Sequence, residues 1–354
     1  MPHVMNDLLK LMKERDASDI HITAGSPVQI RVDEKLLPVD DVIMTPADTK
    51  ALIYSVLSDE HKDKFEKELE LDFAFGVSGL GRFRMNVFKQ RGTLASAIRI
   101  IPFNIWNFEE CGLAPDITTE LCKKPKGLVL ITGATGSGKS TSLASMIDWI
   151  NNDRPCHIMT IEDPIEFIHK NKKAIVNQRE AYSDTHSFGS ALKHVLRQDP
   201  DVILIGELRD LETIEAALIT AETGHLVFAT LHTSDCVQTI NRIIDVFPAH
   251  QQQQIRTQLS FVLTAVMSQQ LIPKIEGRGR ALACEMLLVT PAVRSLIRES
   301  KIHQLYSVIQ TSQKDGMKTM NQALYELYQK HIISYEAAFE NSIDQDDLKR
   351  IFKR

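Results

Sequence analysis

The 354-residue chain has few cysteines, no long apolar run and no excess of positive charge. Its five cysteines are scattered without a C-x-x-C pair, which argues against a disulfide framework or a zinc site and favours a reducing compartment. No apolar stretch approaches the roughly 20 residues of a membrane-spanning helix, and the N-terminus lacks the features of a signal peptide. We therefore expect a cytoplasmic protein with no transmembrane segment.

Acidic residues slightly outnumber basic ones, 46 to 41, and the formal net charge is −5. Domains that bind duplex DNA usually carry a strong basic excess, so we expect no direct contact with nucleic acid. Apolar residues make up 43% of the chain and charged residues 25%, as in ordinary globular proteins. The length predicts two or three domains.

The pattern of predicted elements changes along the chain. Residues 1–100 combine amphipathic helices with a meander of short strands, which is typical of an α+β domain with an antiparallel sheet. Residues 101–115 lack periodicity and are predicted to be a linker. Residues 116–289 alternate short apolar strands with helices, a pattern that indicates an α/β domain with a mainly parallel sheet. Residues 290–354 are predicted to be helical.

A phosphate-binding motif lies in the α/β part. Gly133–Ser140 reads GATGSGKS and matches G-x-x-x-x-G-K-[ST]. It follows the apolar run Gly127–Thr132 and opens a predicted helix, where backbone amides bind phosphate. Lys139 is expected at the β- and γ-phosphates and Ser140 at Mg²⁺. The predicted nucleotide-binding residues of this segment are Gly133, Ala134, Thr135, Gly136, Ser137, Gly138, Lys139, Ser140 and Thr141. The alternative is a glycine turn that caps a structural helix.

Carboxylates follow two of the other predicted strands. Glu207 comes after the apolar run Val202–Ile205, where a strand end borders the ligand crevice of an α/β sheet. Gly206 stands where many such enzymes carry an acid, so Glu207 is predicted to hold Mg²⁺ through water. Thr160–Glu166 places three further carboxylates, Glu162, Asp163 and Glu166, after another strand. The alternatives are a surface carboxylate at Glu207 and an acidic turn at Asp163.

Two histidines flank the apolar run that follows, His225 before it and His232 after it. His232 is expected at the end of the strand where a γ-phosphate would lie. A histidine taken alone is more often a structural residue with satisfied hydrogen bonds.

In this order and at these spacings, the four segments resemble the secretion-ATPase family of type II secretion and type IV pilus motors. They correspond to its Walker A motif (Gly133–Ser140), Asp box (Thr160–Glu166), Walker B motif (Val202–Glu207) and His box (His225–Thr233). In this family a glycine before the Walker B glutamate is normal. The resemblance implies a PAS-like N-terminal domain, a RecA-like P-loop ATPase domain and a homohexamer that uses ATP and Mg²⁺.

The resemblance also implies roles for single residues. Glu207, Glu166, Glu162, Lys139 and His232 are expected to be catalytic, and Asp163 and His225 to contact the nucleotide. Arg84 and Arg99 match the arginines that reach the nucleotide from the N-terminal domain, with Arg197 and Arg209 as further candidates at the subunit interface. The alternative for each arginine is a solvated charge on a strand face.

Within the family, the chain resembles the pilus-retraction members. It is shorter than the extension and secretion enzymes and has no four-cysteine zinc module, and Ile297–Lys301 resembles the C-terminal motif of retraction enzymes, with Ser300 where glycine is common. The expected partner is the inner-membrane pilus platform protein, with peripheral attachment to that membrane through the pilus base. The alternatives are an accessory retraction ATPase, a nucleic-acid translocase and a nucleotide-binding scaffold without hydrolysis.

Overall fold

A computed structural model describes residues 2–32, 35–101 and 105–353. The chain divides into two compact units, Met1–Asn104 and Ile105–Arg354. Of the predicted linker 101–115, residues 102–104 lie outside the described residues. The part of that stretch after residue 104 contains a short helix, Phe108–Cys111.

The first unit is built on an antiparallel sheet of six described strands in the order β3-β2-β1-β6-β5-β4. The strands are β1 (Asp19–Thr23), β2 (Gln29–Val32), β3 (Lys35–Pro38), β4 (Glu70–Val77), β5 (Gly81–Gln90) and β6 (Thr93–Ile101). Its helices are α1 (Met5–Glu14), α2 (Pro46–Tyr54) and α3 (Asp59–Glu68). Arg84 and Arg99 lie directly opposite each other on β5 and β6.

Local sequence explains how these helices begin and what they bury. The Thr45 hydroxyl accepts a hydrogen bond from the Asp48 amide, and the Asp48 side chain accepts one from the Thr45 amide. Pro46 occupies the first helical position of α2. In α1, Met5, Leu8, Leu9 and Met12 share one helical face and are buried. The predicted antiparallel sheet and its flanking helices therefore follow from caps and periodicity.

The second unit contains a sheet of seven described strands in the order β13-β12-β7-β11-β10-β8-β9. The strands are β7 (Gly127–Thr132), β8 (His157–Glu162), β9 (Ile175–Glu180), β10 (Val202–Ile205), β11 (Leu226–Leu231), β12 (Leu263–Pro273) and β13 (Arg280–Leu288). Neighbours from β12 to β9 pair in parallel, and β13 pairs with β12 antiparallel. The mixed α/β fold class predicted from the sequence is confirmed.

Helices cover both faces of this sheet, which explains why β7, β10 and β11 are buried along their whole length and mostly apolar. The helices are α4 (Phe108–Cys111), α5 (Pro115–Cys122), α6 (Lys139–Asp153), α7 (Phe188–Val195), α8 (Leu211–Glu222), α9 (Cys236–Asp245), α10 (Gln252–Val262), α11 (Pro291–Arg298), α12 (Leu305–Thr311), α13 (Met320–Gln329), α14 (Tyr335–Glu340) and α15 (Gln345–Phe352). Along β7, Leu128 and Leu130 join the core under α7–α11, and Val129 and Ile131 join the core under α4–α6. Helices α13–α15 form a further apolar cluster with β12 and β13.

The parallel register brings several loops to one edge of the sheet. Thr132 pairs with Leu231, Ile205 with Ala229, and Ile161 with Ile205, so β7, β11, β10 and β8 end side by side. We call this side the carboxyl edge and the opposite side, where these strands begin, the amino edge. Within the part of the chain that the structure describes, no helix has the length and apolar character needed to cross a membrane.

Candidate active site at the carboxyl edge

The phosphate-binding motif forms a tight loop between β7 and α6. Ala134, Thr135 and Gly136 are exposed at its tip, whereas Gly133 and Lys139 are buried at its base. Gly133 has φ +140°, and a Cβ there would lie 2.4 Å from the Gln269 carbonyl oxygen. A side chain would therefore clash, and the loop requires glycine at its first position.

Lys139 lies inside the loop. Its Nζ donates to the carbonyl oxygens of Gly133 at 2.8 Å and Ala134 at 2.9 Å, and the residue is 8% exposed. Burial lowers the pKa of Lys139, and the charges of Glu207 and Glu166 oppose that shift. The ammonium group thus has a fixed position close to two carboxylates, with a third N–H left for an anionic ligand.

Strand β12 supports the loop through a contact that was not predicted. Gln269 is fully buried, and its Nε2 donates to the Ser142 hydroxyl at 2.8 Å. The buried Ser137 hydroxyl has no hydrogen-bond partner among the described residues. A buried hydroxyl in a glycine-rich loop at a helix N-terminus fits a phosphate oxygen.

The end of β10 carries a network of charged side chains. Glu207 Oε1 lies 3.3 Å from His232 Nε2, and Glu207 Oε2 accepts from Arg209 Nε at 2.8 Å. The same guanidinium reaches Asp163, with Arg209 Nη1 3.5 Å from Asp163 Oδ2. The predicted residues Glu207, His232 and Asp163 therefore lie together. The place of Arg209 between the two carboxylates was not predicted.

Gly206 allows two strand ends to approach closely. Its amide donates to the Ile161 carbonyl at 2.7 Å, and its own carbonyl accepts from Thr230 Oγ1 at 2.5 Å. A Cβ at this position would lie 3.1 Å from Glu162 Cα. This contact gives a physical reason for glycine immediately before Glu207.

Glu162 is partly buried between β8 and β9. Its Oε1 accepts from Thr160 Oγ1 at 2.6 Å and from Gln178 Nε2 at 3.2 Å. Burial raises the pKa of Glu162 to about 7, and the charge of Glu166 adds to the shift while the hydrogen bonds oppose it. Glu162 can therefore take up or release a proton near neutral pH, whereas Glu166 is exposed at the surface.

The remaining predicted residues lie elsewhere. His225 precedes β11 at the amino edge, where its Nδ1 lies 3.1 Å from the Thr220 carbonyl oxygen. In the first unit, Arg84 donates to Asp72 at 2.6 and 3.1 Å, and Arg99 donates to Asp19 at 2.8 Å. A role for these arginines at a nucleotide stays a prediction.

A metal ion at this edge would have few protein ligands. No group of three or more His, Cys, Asp or Glu side chains among residues 2–32, 35–101 and 105–353 is arranged to hold a metal. Ser140 lies in the first turn of α6 and is partly exposed, and the Glu207 side chain is 22% exposed. These two residues fit a Mg²⁺ ion whose other ligands are phosphate oxygens and water.

Comparison with known proteins shows the family of the chain. Residues 1–336 match the family described as type II/IV secretion system protein. The chain is 48% identical over 338 residues to the type IV pilus retraction ATPase PilT of Pseudomonas aeruginosa, covering 96% of this chain and 98% of that protein. It is 43% identical to the type IV pilus ATPase PilU of the same organism, covering 98% and 90%.

A solved structure has the same fold over nearly the whole chain. The crystal structure of the pilus retraction motor PilT with bound ADP superposes with a TM-score of 0.93 at 52% identity, covering 98% of this chain and 99% of that one. Sequence and fold therefore match over nearly the whole chain. The chain belongs to the type II/IV secretion system protein family.

Proposed function

We propose that this protein is an ATP-hydrolysing motor that drives retraction of type IV pili. The observation that carries the proposal is the convergence of Lys139, Glu207 and His232 at one sheet edge, in a chain 48% identical to a pilus retraction ATPase. Residues 1–100 would form a PAS-like domain, 116–289 a RecA-like core and 290–354 a helical region. The protein would act in the cytoplasm, attached to the inner membrane through the pilus base.

Nucleotide binding follows from the loop between β7 and α6. Residues 139–141 form the first turn of α6, whose backbone amides have no acceptor within the helix and whose dipole favours phosphate. Lys139 would donate its third N–H to a phosphate oxygen, since the other two donate to the loop carbonyls of Gly133 and Ala134. Mg²⁺, held by Ser140 and through water by Glu207, would neutralise charge on the phosphates.

Hydrolysis requires a carboxylate that orients water for in-line attack on the γ-phosphorus. Glu207 meets this need because its carboxylate is held at both oxygens and faces the same edge as Lys139. Glu207 would accept the proton of the attacking water, with Glu162, whose pKa is about 7, and Glu166 assisting. The bond between the γ-phosphorus and the bridging oxygen breaks, and Arg84 and Arg99, which the family resemblance assigns to the nucleotide, would offset the developing charge.

Conformational changes on ATP binding and phosphate release would convert hydrolysis into movement. In a homohexamer, staggered steps would turn or translate a bound component of the pilus base. The partner would be the inner-membrane platform protein, because pilus subunits must return to the membrane when the filament shortens.

A phosphate-release assay tests the enzymatic part. The purified protein should release phosphate from ATP in the presence of Mg²⁺, and Lys139→Ala should reduce release to background because the loop loses its charge. Matched circular dichroism spectra would show that the variant is folded. A wild-type protein that binds ATP without releasing phosphate would instead be a nucleotide-binding scaffold.

Deletion of the gene in a cell with fluorescently labelled pili tests the biological part. Pili should extend and then fail to retract, and wild-type but not Lys139→Ala protein should restore retraction. Normal retraction in the deletion strain would contradict the main proposal and favour an accessory retraction ATPase such as PilU, the second relative.

A further inference from the structure

The charged network at the carboxyl edge has a fixed order, Asp163–Arg209–Glu207–His232, which we call the Glu207 network. Arg209 is its centre, with Nε 2.8 Å from Glu207 Oε2 and Nη1 3.5 Å from Asp163 Oδ2. Asp163 is 29% exposed at its side chain and Glu207 22%, so both carboxylates are partly shielded from water. The two acids are joined through one guanidinium.

The network fixes the orientation of Glu207 without blocking it. Each carboxylate oxygen has two lone-pair sites. One protein group lies at each oxygen, Arg209 at Oε2 and His232 at Oε1, so each oxygen keeps a site for water. This is the arrangement of a catalytic base that a further group orients.

The planar shape of the guanidinium explains why arginine suits this position. Its N–H groups have a fixed geometry, so an arginine whose Nη1 faces Asp163 presents its Nε in one direction. A lysine ammonium is a single point on a flexible stem and can contact one of the two carboxylates at full strength. The link from Asp163 to Glu207 therefore depends on the guanidinium.

We infer that Arg209 is a positioning residue for Glu207, and that Asp163 acts on hydrolysis through Arg209 rather than by contacting the nucleotide. The inference rests on the proposed ATPase function. It gives Arg209 a role within its own subunit, and it gives Asp163 a different task from the nucleotide contact expected from the family resemblance.

The effect of Arg209 on protein stability distinguishes a positioning role in catalysis from a role in holding the fold together. The Arg209 side chain is 52% exposed, and ion pairs at exposed positions contribute little to the free energy of unfolding. Arg209→Ala should therefore fold normally. Its effect should be on the step in which Glu207 orients water.

Steady-state kinetics of the full-length protein test the inference. Arg209→Ala should lower kcat for ATP hydrolysis by about tenfold or more and leave KM for ATP within about twofold of wild type. Arg209→Lys should recover less than half of the lost activity. Arg278→Ala, in the exposed turn between β12 and β13, is the matched control for loss of one positive charge and should equal wild type.

A double-mutant cycle tests the link to Asp163. Asp163→Asn alone should lower kcat by about threefold, and it should cause no further loss when added to Arg209→Ala. Additive losses, or a KM for ATP that rises with Asp163→Asn while Arg209 is present, would overturn the role given to Asp163.

The outcomes also separate this inference from the proposed function. A wild-type protein with ordinary turnover and an Arg209→Ala variant with equal kcat would overturn the inference alone. A wild-type protein that releases no phosphate would overturn the proposed function, and the inference with it.

Discussion

The two edges of the parallel sheet in the second unit differ sharply, although the same strands connect them. At the amino edge the Gly127 amide donates to the His225 carbonyl at 3.0 Å, and the His225 ring contacts the end of α8. At the carboxyl edge Glu207 follows β10 and His232 follows β11, and Glu207 contacts both His232 and Arg209. The contacts named at the amino edge are hydrogen bonds, two of them to backbone carbonyls, whereas those at the carboxyl edge join ionisable side chains.

Chain direction explains the difference. In a sheet of parallel strands the crossover helices begin at the carboxyl edge, so their N-terminal amides and positive dipole ends face it. Helices α6, α8 and α9 begin at Lys139, Leu211 and Cys236, soon after strands that end there. This edge attracts anions before any side chain is considered, and the carboxylates placed there must be paired.

The largest expected effect comes from a comparison of two glutamates, one at each edge of the sheet. Glu207→Gln should lower kcat for ATP hydrolysis by about 10³-fold, because an amide cannot accept the proton from water, while ATP still binds. Glu222→Gln, at the end of α8 near the amino edge, should stay within about twofold of wild type. Phosphate release and binding of a fluorescent ATP analogue measure the two effects, and normal turnover in Glu207→Gln would contradict the role of Glu207.

A second prediction concerns the free energy of unfolding at the carboxyl edge. The pKa of Glu162 is raised from 4.5 to about 7, so the folded protein holds a proton that the unfolded chain releases. This stabilisation is complete below about pH 4.5 and is lost as pH rises through 7, with a total of about 3 kcal/mol at most.

Urea denaturation of wild type and Glu162→Gln at pH 5 and pH 8 measures this effect. Glutamine stays neutral, so the variant should gain stability relative to wild type as the pH rises. A difference between the two proteins that is the same at both pH values would show that Glu162 does not hold a proton in the folded state.

The sequence predicted β7, β8, β10 and β11 because each is a short, mostly apolar run buried in the sheet. Strand β9 was not predicted, because its residues after Val176 are polar. The hairpin of β12 and β13 was not predicted, because α10 passes into β12 between Val262 and Leu263 without a break in apolar residues. Periodicity cannot divide such a run.

The side-chain contacts within the site could not be predicted, because they depend on the hairpin of β12 and β13 and on the directions of the side chains. Gln269 reaches the phosphate-binding loop from β12, 127 residues after its partner Ser142. Arg209 was found in the sequence, but its placement between Asp163 and Glu207 depends on the turn after Gly206. Strand β3, exposed at the sheet edge of the first unit, was also missed because all four of its residues are exposed and show no alternation.

The smallest expected effect compares the two histidines that flank β11. His225 and His232 are separated by one strand, about 20 Å of extended chain, and lie at opposite edges. His232→Ala should lower kcat by about tenfold, because Glu207 loses the group at one oxygen, with little change in KM for ATP. His225→Ala should keep kcat within about twofold, because its ring contacts Thr220 and Thr223 away from the carboxyl edge. Equal losses of kcat in the two variants would mean that His225 acts at the nucleotide after all, through a neighbouring subunit, since its own strand holds it at the amino edge.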